Sequence, residues 1–248
     1  MVVNGLVMLK SNLIVVTGGN GRFGSVLKKN KTKKIVYLFP NKKELNILNV
    51  NSIKKYLKRK KPKILIHLAG LSRPMKIHDH NIKKSINLNI IGTSNIVTVC
   101  ADLGIKLIYF STSYIYPGTK GNYKETDNIN PINNYAWSKL GGESAVRLYK
   151  NSLILRLSMT EKPFIHKYAF KNFVTNFIFH NEVAEVLPKL FKYRGLINVG
   201  GPTKTVYEFA KKYNPNIKGK YIKKFRNKVN RLNTSMNISK FRKIVNKL

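Results

Sequence analysis

The stretch Tyr135-Ala136-Trp137-Ser138-Lys139 sets a phenol and an ammonium four residues apart, on one face of any helix that carries them. A free tyrosine titrates near about pH 10, too high for ready proton exchange at neutrality. A neighbouring ammonium favours the phenolate, so Lys139 is expected to bring Tyr135 down toward a useful range for acid–base work on a carbonyl oxygen. Such work also needs a hydroxyl to hold that oxygen. Ser111-Thr112-Ser113, at the end of an apolar run, offers three. A Tyr-x-x-x-Lys pattern alone is common by chance, so its weight depends on what else the chain carries.

A second pattern lies upstream. Thr17-Gly18-Gly19-Asn20-Gly21-Arg22-Phe23-Gly24 follows a short β-branched run and opens a helical pattern. Gly18 permits a tight turn, Gly21 lets the backbone approach a pyrophosphate, and Gly24 lets helix and strand pack closely. The start of the helix then offers unpaired N–H groups and a positive dipole end to phosphate. Past the next strand, where an acid would grip a ribose hydroxyl, the chain reads Phe39-Pro40-Asn41-Lys42-Lys43. No acid and two lysines lean toward a 2′-phosphate, hence NADP over NAD, with Lys42 a candidate contact.

These groups need a scaffold, and strand and helix signals alternate along the whole chain. Strands are expected at Leu13–Thr17, Ile35–Phe39, Ile64–Leu68, Leu107–Ser111, Leu153–Leu157 and Leu196–Val199. Helices are expected at Arg22–Lys29, Ser52–Lys60 with Ser52 as its cap, Asn81–Leu103 closed by Gly104, Tyr135–Tyr149, near Glu182–Phe191, and from Val206. Alternation of this kind builds an α/β fold, a Rossmann-like doubly wound parallel sheet. Residues 12–157 would form the dinucleotide-binding core. Residues 158–248 would form mostly a small C-terminal substrate lobe, within a single unit over 1–248. The segment Thr160–His180 and the last 30 or so residues carry no regular pattern.

Composition narrows the classes. The 248 residues, 43% hydrophobic, suffice for a globular core. The one cysteine, Cys100, excludes an intramolecular disulfide framework and reads as a buried thiol, consistent with a reducing cytoplasm. No apolar run reaches the roughly 18–20 residues that cross a bilayer, and Met1–Lys10 lacks a basic n-region and a cleavage site. His67, His78, His80, His166 and His180 show no metal-ligand spacing; His78 and His80 read as solvated loop residues, and no metal is expected. The net charge of +37 invites a nucleic-acid reading. Its lysines are scattered among abundant Asn and Ile, without aromatic interleaving, so compositional drift is the preferred account.

With these residues in view, the chain resembles the extended short-chain dehydrogenases/reductases that act on nucleotide sugars, most of all the dTDP-4-dehydrorhamnose reductase group. Glu44-Leu45-Asn46-Ile47 is similar to the group's segment near the adenine, with Asn46 in place of an acid, and His67-Leu68-Ala69-Gly70 to its loop beneath the cofactor. Asn89-Ile90-Ile91-Gly92-Thr93-Ser94-Asn95 resembles its Asn-x-x-Gly-Thr-x-Asn helix, and Ser111-Thr112-Ser113-Tyr114-Ile115-Tyr116 its Ser-Thr-Asp-Tyr-Val-Phe run.

The resemblance implies catalytic roles for Thr112, Tyr135 and Lys139. It implies a cofactor seat from Gly18, Asn20, Gly21, Arg22, Phe23, Gly24, Lys42, Asn46, Ile47, Leu68, Ala69 and Gly70 with Tyr135 and Lys139. Substrate would touch Thr112, Ser113, Tyr114 and Tyr135. The implied activity is NADPH-dependent reduction of the C4 ketone of a nucleotide-diphosphate 4-keto-6-deoxyhexose, in a homodimer paired through the Asn81–Leu103 and Tyr135–Tyr149 helices. Bifunctional relatives that also epimerise carry cysteine where this chain has Tyr114, so no epimerase activity is implied. The rivals are an epimerase or dehydratase of the same fold, and a non-catalytic Rossmann protein that senses NADP or binds nucleic acid.

Overall fold

The computed structural model describes residues 13–30, 35–223 and 232–246. Six parallel strands form the central sheet: β1 (Leu13–Thr17), β2 (Val36–Leu38), β3 (Ile64–His67), β4 (Lys106–Thr112), β5 (Ser152–Leu157) and β6 (Gly195–Val199). Their spatial order is β6-β5-β4-β3-β1-β2. All seven residues of β4 and all six of β5 are buried, as strands covered on both faces must be. The chain leaves β1 toward β2 on one side and returns to β3 on the other. The order therefore reverses between β1 and β3, which opens a crevice at the carboxyl ends of these strands.

Helices α1 (Arg22–Lys29), α2 (Val50–Lys60), α3 (residues 82–102), α4 (Asn134–Leu148), α5 (His180–Leu190), α6 (Val206–Tyr213) and α7 (Ser239–Val245) complete the fold. Phe23 and Leu27 of α1, Val183 and Leu187 of α5 and Phe241 of α7 pack on one sheet face. Ile53 and Tyr56 of α2, Ile96 and Val99 of α3 and Val146 of α4 pack on the other. The doubly wound α/β architecture expected from the alternation is the one observed.

Local differences from the sequence reading have identifiable causes. Asn49, not Ser52, caps α2: its side chain accepts from the Ser52 N–H at 2.9 Å, while the Ser52 hydroxyl is occupied by the Asn46 N–H at 3.1 Å. The long helix α3 is interrupted by a π-helical turn at Asn87–Ile91, whose extra residue directs Asn89 inward, to 1% exposure. Ile82 and Ile86, part of the apolar spacing, are exposed. Gly104, at φ +67, ends the helix; the N–H of Ile105 reaches the Cys100 carbonyl at 2.9 Å and that of Gly104 the Ala101 carbonyl at 3.3 Å. Cys100 is buried, and burial pushes its thiol up to about 12.

The segment that carried no pattern folds into a lobe by non-local pairing. Strand Phe173–Thr175 joins Lys204–Thr205 and Leu232–Asn233, and Tyr168–Phe170 joins Lys218–Lys220. Phe164, Phe173, Phe179 and Phe209 form its core. The tail, irregular in its sequence pattern, contains α7, whose Phe241 enters the main core. The stretch Met1–Lys10, read for a leader, lies outside the described residues. No described helix is long and apolar enough to cross a membrane.

One polar cluster lies within this apolar frame. Arg156 of β5 and Glu143 of α4, both with fully buried side chains, pair at 2.6 Å. The Ser111 hydroxyl donates to Glu143 at 2.6 Å, and Arg156 donates to the Tyr116 hydroxyl at 2.8 Å. Removing Arg156 leaves the buried Glu143 with only the Ser111 hydroxyl and the half-exposed Arg147 at 3.4 Å, so Arg156→Met should cost about 3–5 kcal/mol. Urea unfolding measures this; a loss within about 1 kcal/mol, the scale of a surface pair, would mean that Glu143 is solvated some other way.

Candidate active site

A cavity of about 660 Å³ occupies the crevice. The loops after β1, β3, β4 and β5 wall one side and aromatic residues of the lobe the other. The glycine loop is shaped by close backbone approach. Gly18 has φ +71, and a Cβ there would lie 2.5 Å from the Ala69 nitrogen. A Cβ on Gly24 would lie 2.6 Å from the Gly18 carbonyl oxygen, so the helix start could not seat against the loop with a larger residue. Gly21 caps α1 without any side-chain hydrogen bond, and no acid lies in the first turn. That leaves the first N–H groups of α1 directed at the crevice with no carboxylate competing for them, which fits a pyrophosphate.

The loop after β3 is pinned from beneath. His67 bonds the Thr17 hydroxyl through Nδ1 at 2.7 Å and the Thr93 hydroxyl through Nε2 at 3.1 Å. Burial, and then the Lys139 charge, push this imidazole down to about 3, so it is neutral and structural. Asn89, turned inward by the π-helical turn, accepts from the Leu71 N–H at 2.6 Å and donates to the Leu71 carbonyl and the Ser138 hydroxyl, each at 2.8 Å. It thereby joins the loop after β3 to the turn of α4 between Tyr135 and Lys139. The sequence motif contained Asn89, but nothing in its spacing revealed this bridge, because the π-helical turn decides which way the side chain points.

Thr112 at the end of β4 and Tyr135 in the first turn of α4 share the cavity wall. Asn133 starts α4 by accepting from the Ala136 N–H at 2.8 Å. Lys139 lies one turn beyond Tyr135, its Nζ 4.1 Å from the centroid of the Tyr109 ring. The titration of the pair differs from the sequence expectation. Burial, then the neighbouring Tyr114, push the Tyr135 phenol up to about 12, against the opposing pull of Arg22, Arg73 and the Thr112 hydroxyl. Lys139 is itself pushed down to about 7 by burial, with Glu143 opposing. Desolvation dominates both shifts, and the mutual attraction that the sequence spacing implied contributes to neither. Tyr135 is thus a neutral proton donor across the ordinary pH range, and Lys139 changes charge near neutrality.

Ser113 is fully buried on the cavity wall, and its hydroxyl has no hydrogen-bond partner. Tyr114 faces the lobe, its ring 6.0 Å from that of Phe173. Gly18, Gly21, Arg22, Phe23, Gly24, Leu68 and Gly70 line the cavity together with Thr112, Ser113, Tyr114, Tyr135 and Lys139. Others expected at the site stand apart from its wall. The Asn46 side chain accepts from the Leu48 N–H at 3.1 Å, Ile47 is buried with its Cδ1 against the Gly92 position, and Lys42 is exposed on the turn after β2.

Contacts that the sequence reading missed close the cavity mouth. The Arg22 guanidinium donates to Glu161 at 2.7 Å and to Ser72 at 3.1 Å, and Arg73 approaches Glu161 at 3.5 Å. These partners are up to 139 positions apart in the chain, so no local signal could link them. His78 corrects a second expectation. It is 1% exposed rather than solvated, bonds Ser85 through Nδ1 at 2.7 Å, and sits with its ring 5.2 Å from that of Tyr135. The reason is the short helix Ile77–His80, which packs against α4. Among the described residues no three metal-ligating side chains come together.

Fold and site together define a doubly wound α/β protein whose cavity brings Thr112, Tyr135 and Lys139 to one wall beside a glycine loop, and comparison with known proteins sharpens this. The family model for the RmlD substrate binding domain matches residues 12–187, and the chain belongs to that family. Methionine adenosyltransferase 2 subunit beta of Bos taurus is 30% identical over 148 residues, covering 56% of this chain and 44% of that protein. The dTDP-4-dehydrorhamnose reductase of Aggregatibacter actinomycetemcomitans is 27% identical over 201 residues, covering 77% and 62%. The chain thus spans about half the length of the curated relatives it matches. Among solved structures, dTDP-4-dehydrorhamnose reductase from Bacillus anthracis in complex with NADP superposes with a TM-score of 0.82 at 22% identity, over 94% of this chain and 91% of that one. A hypothetical dTDP-4-dehydrorhamnose reductase from Sulfolobus tokodaii gives 0.80 at 25% identity, over 93% and 94%.

The low pKa of Lys139 carries a stability prediction. Its folded value of about 7 lies below its value of about 10.4 in an unfolded chain. Between these, the unfolded chain holds a proton that the folded one does not, so this group's contribution to stability rises with pH across that window. Below pH 7 both states are charged and the burial penalty is fully present. Lys139→Met should therefore unfold at higher urea than the wild type at pH 6.5, and the gap should shrink steadily toward pH 9.5. A gap that stays constant with pH would show that Lys139 is well solvated in the folded protein.

Proposed function

We propose that the protein is an NADPH-dependent reductase of the C4 ketone of a nucleotide-diphosphate 4-keto-6-deoxyhexose, without epimerase activity. The observation that carries the reading is the meeting of Thr112, Tyr135 and Lys139 on the wall of one cavity that also receives the glycine loop. Reductases of a 4-keto sugar nucleotide among the similar proteins, one of them solved with NADP, support the same activity.

The glycine loop and the start of α1 would hold a reduced nicotinamide dinucleotide, which would supply the hydride for C4. The chain's own residues then handle the oxygen. The Thr112 hydroxyl orients the carbonyl by hydrogen bonding. Tyr135, protonated across the working pH range, gives its proton to that oxygen as the alcohol forms. Lys139 receives the role of stabilising the resulting phenolate and holding the nicotinamide ribose. The unpartnered Ser113 hydroxyl is satisfied by a polar substituent beside the ketone, which recovers the cost of its burial. Tyr114, raised above its ordinary range by burial, stays a neutral phenol with no basic form available to take a carbon-bound proton, so the sugar's C3 and C5 keep theirs. The full Thr112, Tyr135 and Lys139 set favours this reading over a non-catalytic cofactor-binding subunit.

Tyr135→Phe should leave NADPH affinity nearly intact and cut turnover roughly a hundred- to ten-thousand-fold, the range for a lost acid–base group. Lys139→Met should harm both. In deuterated water the product should carry no deuterium at C3 or C5; its appearance by mass spectrometry would assign an epimerase activity instead. Unchanged turnover in Tyr135→Phe would overthrow the catalytic assignment.

We assign the assembly as a homodimer paired through α3 and α4. Ile82, Ile86 and Ile91 of α3 and Trp137 and Leu148 of α4 are all exposed, more large apolar surface than two neighbouring helices of a monomer need. Solution scattering at micromolar concentration should give a dimer mass, and Trp137→Glu should halve it. A monomer mass for the wild type would refute the pairing.

A further inference from the structure

A dinucleotide whose pyrophosphate sat on the start of α1 would place its adenosine half over the β1–β2 side of the switch point, with the ribose toward the end of β2. Phe39 occupies that place. Its ring is seated directly on the glycine loop, since a Cβ on Gly19 would lie 2.7 Å from the Phe39 Cδ1. An acid here would accept from a ribose 2′-hydroxyl and repel a phosphate. The phenyl ring does neither, and it carries a cation instead.

That cation is Lys28, from the last turn of α1. Helical side chains lean toward the N-terminus, and this one runs back to the loop. Its ammonium donates to the Asn20 side-chain oxygen at 2.7 Å and stands 5.3 Å from the centroid of the Phe39 ring. Neither anchor neutralises it. Among the described residues no ion pair involves Lys28. An ammonium has three N–H donors; Asn20 takes one, leaving donors and an uncompensated charge at the rim of the ribose site. Holding the side chain in advance also lowers the entropy lost when it meets an anion.

We propose that Lys28, steadied by Asn20 and Phe39, reads the 2′-phosphate of NADPH and sets the preference for NADPH over NADH. The inference rests on the NADPH reading above. Lys42 and Lys43, which follow on the exposed turn, were the residues the sequence pointed to. Lys28 lies 14 residues before Lys42 in the chain, on a different element, and only the fold brings it to the end of β2.

The test is equilibrium binding followed by tyrosine and tryptophan fluorescence, with NADPH, NADH and adenosine 2′,5′-bisphosphate as probes. The wild type should bind NADPH more tightly than NADH. Lys28→Gln should weaken NADPH and the bisphosphate by about ten- to a hundredfold, the scale of a hydrogen bond to a charged group, and change NADH by less than about twofold. Lys28→Arg should keep most of the preference. Equal loss for NADPH and NADH in Lys28→Gln, or no loss for either, overturns the role of Lys28 while leaving the NADPH reading in place if the wild type still prefers NADPH. A wild type that binds NADH as well as NADPH overturns both.

Discussion

The Arg156–Glu143 pair sets the geometry on which the site depends. Both side chains are withdrawn from water, a state that costs several kcal/mol per ion unless each is met by partners of matched geometry. The partners here come from four segments. Ser111 of β4 donates to Glu143, Arg156 of β5 pairs with it, and Tyr116 extends the network to Asn198 of β6 at 2.8 Å. The Asn198 side-chain amide in turn donates to the Tyr123 carbonyl at 2.9 Å, and its backbone N–H donates to the Glu125 carboxylate at 3.0 Å. Since α4 cannot slide along β4 without breaking these bonds, Tyr135 is held against Thr112. The chemistry at the cavity wall inherits its precision from an ion pair two turns of helix away.

The cofactor side of the crevice depends on a different constraint, the closeness of two backbones. The loops after β1 and β3 approach to a distance that only Gly18 permits, and His67 ties them through Thr17 and Thr93. A charged imidazole could not be kept there; burial keeps it neutral so that one ring nitrogen can accept while the other donates. The two halves of the site thus use opposite means: a buried charge pair for the catalytic wall, and uncharged close packing for the phosphate loop.

The charge of the chain becomes intelligible in the same terms. Of the ten acids, nine are engaged by the fold. Glu44, Glu182 and Glu208 cap turns or helices, Asp79 holds Asn134, and Glu125 holds Asn198. Asp102, Asp127, Glu143 and Glu161 pair with basic groups. The few acids thus serve mostly as partners within the fold, and the excess charge of the chain is basic. Burial, rather than the sign of the surface, governs the reactive groups. It raises Tyr135 and lowers Lys139 although each is the other's neighbour in the helix.

From the sequence alone, the sheet, most of its helices, the Tyr135–Lys139 spacing and the Ser111–Ser113 hydroxyl cluster were legible, while the choice of Thr112 came from the family resemblance. Hydrophobic period, glycine placement and a four-residue spacing are local properties, and local properties survive without a partner to define them. The glycine loop was readable for the same reason: its φ and close-approach requirements leave a mark in residue type. Only tertiary structure decided the rest. Asn49 rather than Ser52 as a cap, the inward turn of Asn89, the burial of His78, the strands of the lobe and the Arg22–Glu161 contact all depend on how the chain packs beyond its local pattern. So does the direction of the Tyr135 and Lys139 titrations, because spacing reports which charges are near while the cost of desolvation is set by everything packed around them.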